Sequence, residues 1–176
     1  MAQPVPTLEQ AQQLLRTAFE STREFHLIET RQGWVAHPVP TAEQAEQGMT
    51  VGQGNFVINK ATGVITAHSS LPMQMIGEQF DQAIETGRPV QGHQVYPPLH
   101  RIHLVKTFED SQTVRYQVHV TELEQPNNPP TTELITIDKE TLHFQPSGGP
   151  LSQATAWAEM LSRTTGSWPT EETIDR

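Results

Sequence analysis

The chain has 176 residues, no cysteine, 14 prolines and 11 glycines, enough for one domain with a real core or two small units, and without cysteine it can form no disulfides, thiolate metal sites or cysteine nucleophiles. Net charge is −9, with 9 acids to 5 bases through Arg88 and 11 to 6 beyond it; no Lys/Arg cluster suits a phosphate backbone, so nucleic-acid binding is disfavoured and the acid serves solubility or a basic partner. No apolar run reaches the ~18 residues of a membrane span, and "MAQPVPTLEQ" lacks the pattern of a secretory leader, so a cytoplasmic protein is expected.

Thr7 and Gln10 have the spacing of a capping box, and Leu8, Ala11, Leu14, Leu15, Ala18 and Phe19 then recur at helical spacing. Two extended segments follow, "FHLIET" (25–30) and "WVAHPV" (34–39), with Pro38 and Pro40 stopping the second or confining it to an edge. Residues 40–54 are polar and Gly-rich and read as a long loop. "NFVINKATGVITAH" (55–68) reads as a hairpin: Asn59 stabilises the turn and Gly63 supplies its positive φ. Ser69, Ser70 and Pro72 then open a helix whose stripe is Met73, Ile76, Phe80, Ala83 and Ile84, with Gly87 and Pro89 ending it.

The second half repeats this plan. "RIHLVKTFEDSQTVRYQVHV" (101–120) reads as two strands, and "ELITIDKETLHFQP" (133–146) echoes the hairpin, with Ile-Asp-Lys-Glu-Thr against Ile-Asn-Lys-Ala-Thr. Leu142 stands where the first copy has Gly63, which predicts a different turn geometry. A helix follows with Leu151, Ala154, Ala158 and Leu161 on one face. The expected fold is α+β: mainly antiparallel sheet in two related β-β-β-β-α halves, an extra N-terminal helix, and the helices on one side of each sheet. The expected boundaries are an α-β4-α unit over 1–88, a linker over 89–100, a β4-α unit over 101–170 and a frayed tail over 171–176, together one globular body.

No catalytic constellation emerges. His100 and His103 have metal-ligand spacing only on a helix, and the stretch reads as a strand, where they face apart. His68-Ser69-Ser70 lacks a nucleophile elbow, and the serines are helix-capping residues. "GQGNF" (52–56) leads into a strand, not a helix, so it is no phosphate loop. Glu43 and Glu46 form an acid pair in a polar loop where nothing raises a carboxyl pKa. Trp34 and Trp157 read as core, and Trp168 as a staple or an exposed anchor. No catalytic residue, cofactor site or metal site is therefore assigned, and a binding module is favoured over an enzyme with an unrecognised His/carboxylate site.

From Thr7 to about Gly87 the chain resembles the YrhB-type immunity proteins of bacterial polymorphic toxin systems. The resemblance rests on "TLEQAQQLL", "GWVAHPV", the polar loop, "GNFVINKATGVI" and a proline-led helix. It places Trp34, Gly54, Asn55, Thr62 and Gly63 at the family's recurring positions; Asn59 replaces the usual acid, and residues 89–176 extend beyond the usual single unit. The chain also resembles PepSY-type domains in its helix, strands and hairpin, which would make it a regulatory or peptidase-inhibitory domain. The first resemblance implies a non-enzymatic neutraliser of a cognate toxin domain carried by a secretion-system effector. Its partner would be that protein, with neither nucleic acid nor membrane. The acids placed for such an interface are Glu43 and Glu46 in the first half and Glu122 and Glu124 in the second, with Trp168 as a further contact.

Overall fold

The computed structural model describes residues 3–19, 23–42, 46, 54–125 and 127–176. Among them, three helices and ten strands fall into two compact units, residues 1–97 and 98–176, each built on an antiparallel five-stranded sheet. The fold class is α+β, as the periodicities imply.

The first unit runs α1 (Leu8–Ala18), β1 (Phe25–Glu29), β2 (Gly33–Pro38), β3 (Asn55–Asn59), β4 (Ile65–His68), α2 (Met73–Thr86) and β5 (His93–Tyr96), and its sheet is a meander in chain order. The capping box forms as expected: the Gln10 amide donates to Thr7 Oγ1 at 3.3 Å and the Thr7 amide to Gln10 Oε1 at 3.2 Å. Pro38 ends β2, which lies between β1 and β3 and is not an edge. At α2 the N-cap is Pro72 and no side chain caps it, contrary to the expected serine cap. The approach to α2 is fixed instead by Asn55, whose Nδ2 donates to the carbonyls of Ser69 and Leu71. Gly87 closes α2 in the left-handed conformation, φ 64°.

The two helices of this unit lie on opposite faces of the sheet, not on one side. Trp34, Ala36, Ile58 and Ile65 pack with Ala11 and Leu15 of α1, whereas Val35 and Val57 pack with Ile76 and Phe80 of α2. Consecutive positions of β2 and β3 are thus buried, and the strands read as unbroken apolar runs because neither face meets water.

The second unit runs β6 (His100–Glu109), β7 (Thr113–Glu122), β8 (Thr131–Asp138), β9 (Phe144–Gln145), α3 (Gly149–Thr165) and β10 (Glu171–Asp175), in the sheet order β10-β6-β7-β8-β9. Here the burial alternates. Ile102, Leu104, Val114, Tyr116, Val118, Ile135 and Ile137 face Ala154 and Ala158 of α3, and the intervening residues face away. Burial raises the Tyr116 pKa, and its hydroxyl donates to the Pro169 carbonyl at 2.9 Å.

Two segments differ from expectation. The linker over 89–100 contains β5, which pairs with β4, and the tail over 171–176 contains β10, which pairs with β6 along five residues. Both are polar edge strands. Their hydrophobic signal is weak because edges are protected by charge and polarity, and only an available sheet edge makes them strands.

The hairpin repeat is present atom for atom. Asn59 Oδ1 accepts from the amides of Ala61 and Thr62, and Asp138 Oδ1 from those of Glu140 and Thr141. Lys60 Nζ donates to Glu29 Oε1 at 2.8 Å and to the Thr30 carbonyl; Lys139 Nζ donates to Glu109 Oε1 at 2.7 Å and to the Asp110 carbonyl. The Gly63 amide returns to the Asn59 carbonyl, and that of Leu142 to the Asp138 carbonyl. Leu142 has φ 58° against 70° at Gly63, so the two turns share one geometry, contrary to the expectation from their sequences. Glycine has a second reason at 63. The N-terminal segment straps this turn, with the Val5 amide donating to the Lys60 carbonyl, and a Cβ at 63 would lie 2.4 Å from the Gln3 carbonyl oxygen. That strap comes from the N-terminus, so it constrains the first copy and leaves residue 142 only the conformational cost of a left-handed leucine.

The closures of the units differ. The shared turns align Trp34 with Val114, Ala36 with Tyr116 and Ile58 with Ile137. In the first unit this face meets α1, and in the second it meets α3. The fifth strand joins the fourth strand in the first unit and the first strand in the second.

Candidate partner-binding surfaces

The residues singled out by the family resemblance are fold determinants of the first unit. Trp34 is buried, its Nε1 donates to the Val5 carbonyl at 3.0 Å, and the Lys60 ammonium sits 5.0 Å from its ring centre. The tryptophan therefore joins strap, sheet and hairpin. Gly54 lies against β4, where a Cβ would be 2.5 Å from the His68 carbonyl oxygen. Asn55 is buried; beyond its two donations, its Oδ1 is 2.9 Å from His37 Nδ1. Thr62 Oγ1 accepts from the Val64 amide, and Gly63 supplies the left-handed turn.

The groups considered for chemistry do not converge. His100 and His103 lie on β6, and His103 meets His119 across the strands instead, their rings stacked at 5.9 Å. His68 Nε2 is 2.8 Å from Thr66 Oγ1, and burial followed by the neighbouring His93 holds the His68 pKa below its usual value. Ser69 contributes a carbonyl, not a nucleophile, to the local network. Among the described residues, no group of three or more His, Asp or Glu side chains is placed to hold a metal ion. No helix among them is long and apolar enough to cross a membrane.

The acids placed by sequence for an interface are solvent-facing where they are described. Glu46 is exposed, and Glu43 lies outside the described residues. Glu122, at the end of β7, accepts from Asn128 Nδ2 at 2.9 Å, and Glu124 is exposed in the loop that follows. Trp168 is half-buried against the core of the second unit, and its carbonyl accepts from Lys106 Nζ.

Two features escape the sequence reading. Asp81 is buried in α2 and accepts from Thr30 Oγ1 at 2.9 Å and from the amides of Arg31 and Gln32 at 3.0 and 2.9 Å. It satisfies the β1–β2 turn that its helix covers, and each such bond to a charged acceptor is worth roughly 1.5–3 kcal/mol. An acid directly after Phe80 of the apolar stripe does not name its partners, which lie some fifty residues away. The second feature is the helix-free face of the second unit, which the polar-apolar alternation of "RIHLV" and "RYQVHV" does mark, although the cross-strand register that arranges its side chains is not in the pattern.

No curated protein and no solved structure matches the chain. Residues 7–88, which span α1 to the end of α2, match the model of the Immunity protein 35-like domain, in agreement with the resemblance to immunity proteins carried by Trp34, Gly54, Asn55, Thr62 and Gly63; residues 89–176 lie outside this match.

Proposed function

We propose that this protein is an immunity protein that binds a cognate antibacterial toxin domain in the producing cell's cytoplasm and neutralises it by occluding its active site. The match of residues 7–88 to the Immunity protein 35-like domain carries this reading and supports an immunity function in general. The same match favours a binding role without turnover. The cognate partner is the toxin domain of an effector encoded beside this protein.

The acids supply the electrostatics. With a net charge of −9 and exposed Glu46, Glu122 and Glu124, the surface attracts a basic partner and accelerates encounter more than it tightens the final complex. Glu43 belongs to the same proposed set.

The test is the association rate of the protein with that toxin domain, measured against ionic strength. The Glu43→Lys/Glu46→Lys and Glu122→Lys/Glu124→Lys double variants should associate more slowly than wild type and show a flatter salt dependence, with an unchanged melting midpoint. Tight binding with a rate indifferent to salt and to both reversals would reduce the acids to a solubilising surface. A toxin domain that is neither bound nor inhibited would end the immunity reading.

A further inference from the structure

The second unit presents a sheet face that its own helix leaves open. One solvated face is ordinary in an antiparallel sheet, but the composition here is not that of a merely solvated face. In register across four strands run Thr173, His103, His119 and Thr132. His103 Nδ1 is 2.8 Å from Thr173 Oγ1 and His119 Nδ1 is 2.9 Å from Thr132 Oγ1, so both rings are held upright between threonines and stacked at 27°. The next row holds Val105, Gln117 and Leu134, the last 54% exposed. Beyond it the Arg115 guanidinium lies 5.1 Å from the ring centre of Phe108, which is 43% exposed.

Charge gives this face a direction. Its acids are Glu171 and Asp175 on the edge strand β10 and Asp138 at the end of β8, whose carboxylate accepts from the amides of its own turn. Asp175 holds Arg101 through two 2.8 Å bonds, and Glu171 Oε1 is 3.3 Å from His103 Nε2. Arg115 has no carboxylate partner among the described residues. Arg115 is therefore the arginine of this face left without a carboxylate, on a chain whose net charge is −9. Arginine, aromatic and apolar side chains at the centre of a polar surround are the composition of an interface core. Imidazoles already fixed by threonine lose little rotamer freedom on contact.

We propose that this open face docks the toxin domain, against a patch that presents a carboxylate to Arg115, a hydrogen-bonding group to His119 Nε2 and an apolar group to Leu134 and Val105. The proposal rests on the immunity reading above and adds to it the surface used and the chemistry of the partner's side. It gives the second unit, which lies outside the family match, the task of selecting the partner.

The experiment measures the affinity of the full-length protein for a catalytically dead toxin domain from the neighbouring effector. Arg115→Glu and Leu134→Lys should each weaken binding at least tenfold, while Met160→Glu, on the exposed side of α3, should leave it unchanged. All three positions are exposed, and circular dichroism melts confirm folding; Gln117→Glu replaces either test variant should it fail to fold. Wild-type affinity in the folded face variants would overturn the docking face and leave the immunity reading standing. A toxin domain that does not bind wild-type protein would overturn both.

Discussion

Residue 63 offers the sharpest test of how the first unit is held together. A side chain there meets two separate costs. The left-handed backbone, φ 70°, disfavours any Cβ by roughly 1–2 kcal/mol. The Cβ would also lie 2.4 Å from the Gln3 carbonyl oxygen, which is backbone and has no rotamer to change, so the strap itself must move. If it detaches, it takes with it the Val5 amide bond to Lys60 and the Trp34 Nε1 bond to Val5, each worth about 1 kcal/mol. Exposing Val5, now only 5% accessible, adds roughly 1.5–3 kcal/mol at most. Gly63→Ala should therefore cost about 2 kcal/mol if the strap only shifts and about 5 kcal/mol if it is released. Gly63→Val should cost more still and should exceed Thr62→Val. The mirror change, Leu142→Gly, relieves the same backbone cost. It loses roughly 1 kcal/mol to glycine's freedom in the unfolded chain and roughly 1 kcal/mol of half-buried side chain, so it should be neutral to within about 1 kcal/mol. Native-state hydrogen exchange read at the Val35 and Val57 amides reports the first unit, and at Val118 the second. Exchange at the Val5 amide separates a shifted strap from a released one. An unchanged first unit in Gly63→Ala, or a loss in Leu142→Gly as large as that in Gly63→Ala, would refute both the strap and the account of why leucine is tolerated at 142.

Trp34→Ala should destabilise the first unit by about 3–5 kcal/mol, whereas Trp34→Phe should lose mainly the bond to Val5, about 1 kcal/mol; equal effects in urea unfolding would show that the indole N–H is irrelevant. The matched turns also predict a transferable pH response. Hydrogen bonds from the Thr141 amide and hydroxyl hold the Asp138 pKa below its usual value, and those from the Thr113 and Gln112 amides do the same at Asp110. A carboxyl depressed in the folded state contributes stability above its unfolded pKa, about 3.9, and loses that contribution as pH falls through the folded value. Asp138→Asn should flatten the acid limb of the second unit below about pH 4, and Asn59→Asp should steepen that of the first; melts between pH 5 and 2 that change in neither variant would show that the turn carboxyl is not linked to folding.

Local patterns made most elements legible. The capping box of α1, the hairpin turns and the Gly87 stop are each set by a few adjacent residues, and the structure uses those residues for those ends. Non-local choices were not legible. Whether a polar segment such as "HQVY" or "EETID" becomes a strand depends on an edge formed elsewhere, and the serine cap failed because the helix begins at Met73, which puts Pro72 and not a serine at the N-cap. The unbroken apolar runs of β2 and β3 did hold the information that both faces are covered. Expecting all helices on one side passed over the fact that a two-faced strand needs two layers.

The same distinction governs the candidate sites. Trp34, Gly54, Asn55, Thr62 and Gly63 stand out in sequence because each is tied to its place by geometry, and geometry of that kind maintains a fold without contacting a partner. The face that differs between the units is written in register instead. His103 and His119 are sixteen positions apart and become neighbours only when β6 and β7 pair, and the same pairing sets Arg115 against Phe108. The two units keep the same turn down to its lysine and carboxylate, yet they close their sheets at opposite edges. The consequence is specific. A sheet with helices on both faces has only its edges, ends and loops to offer a partner, whereas a sheet with one helix has a whole face. If the halves arose by duplication, the copy without a second covering helix is the one free to vary its surface, because substitutions at Arg115, Gln117 or Leu134 leave the core beneath them untouched.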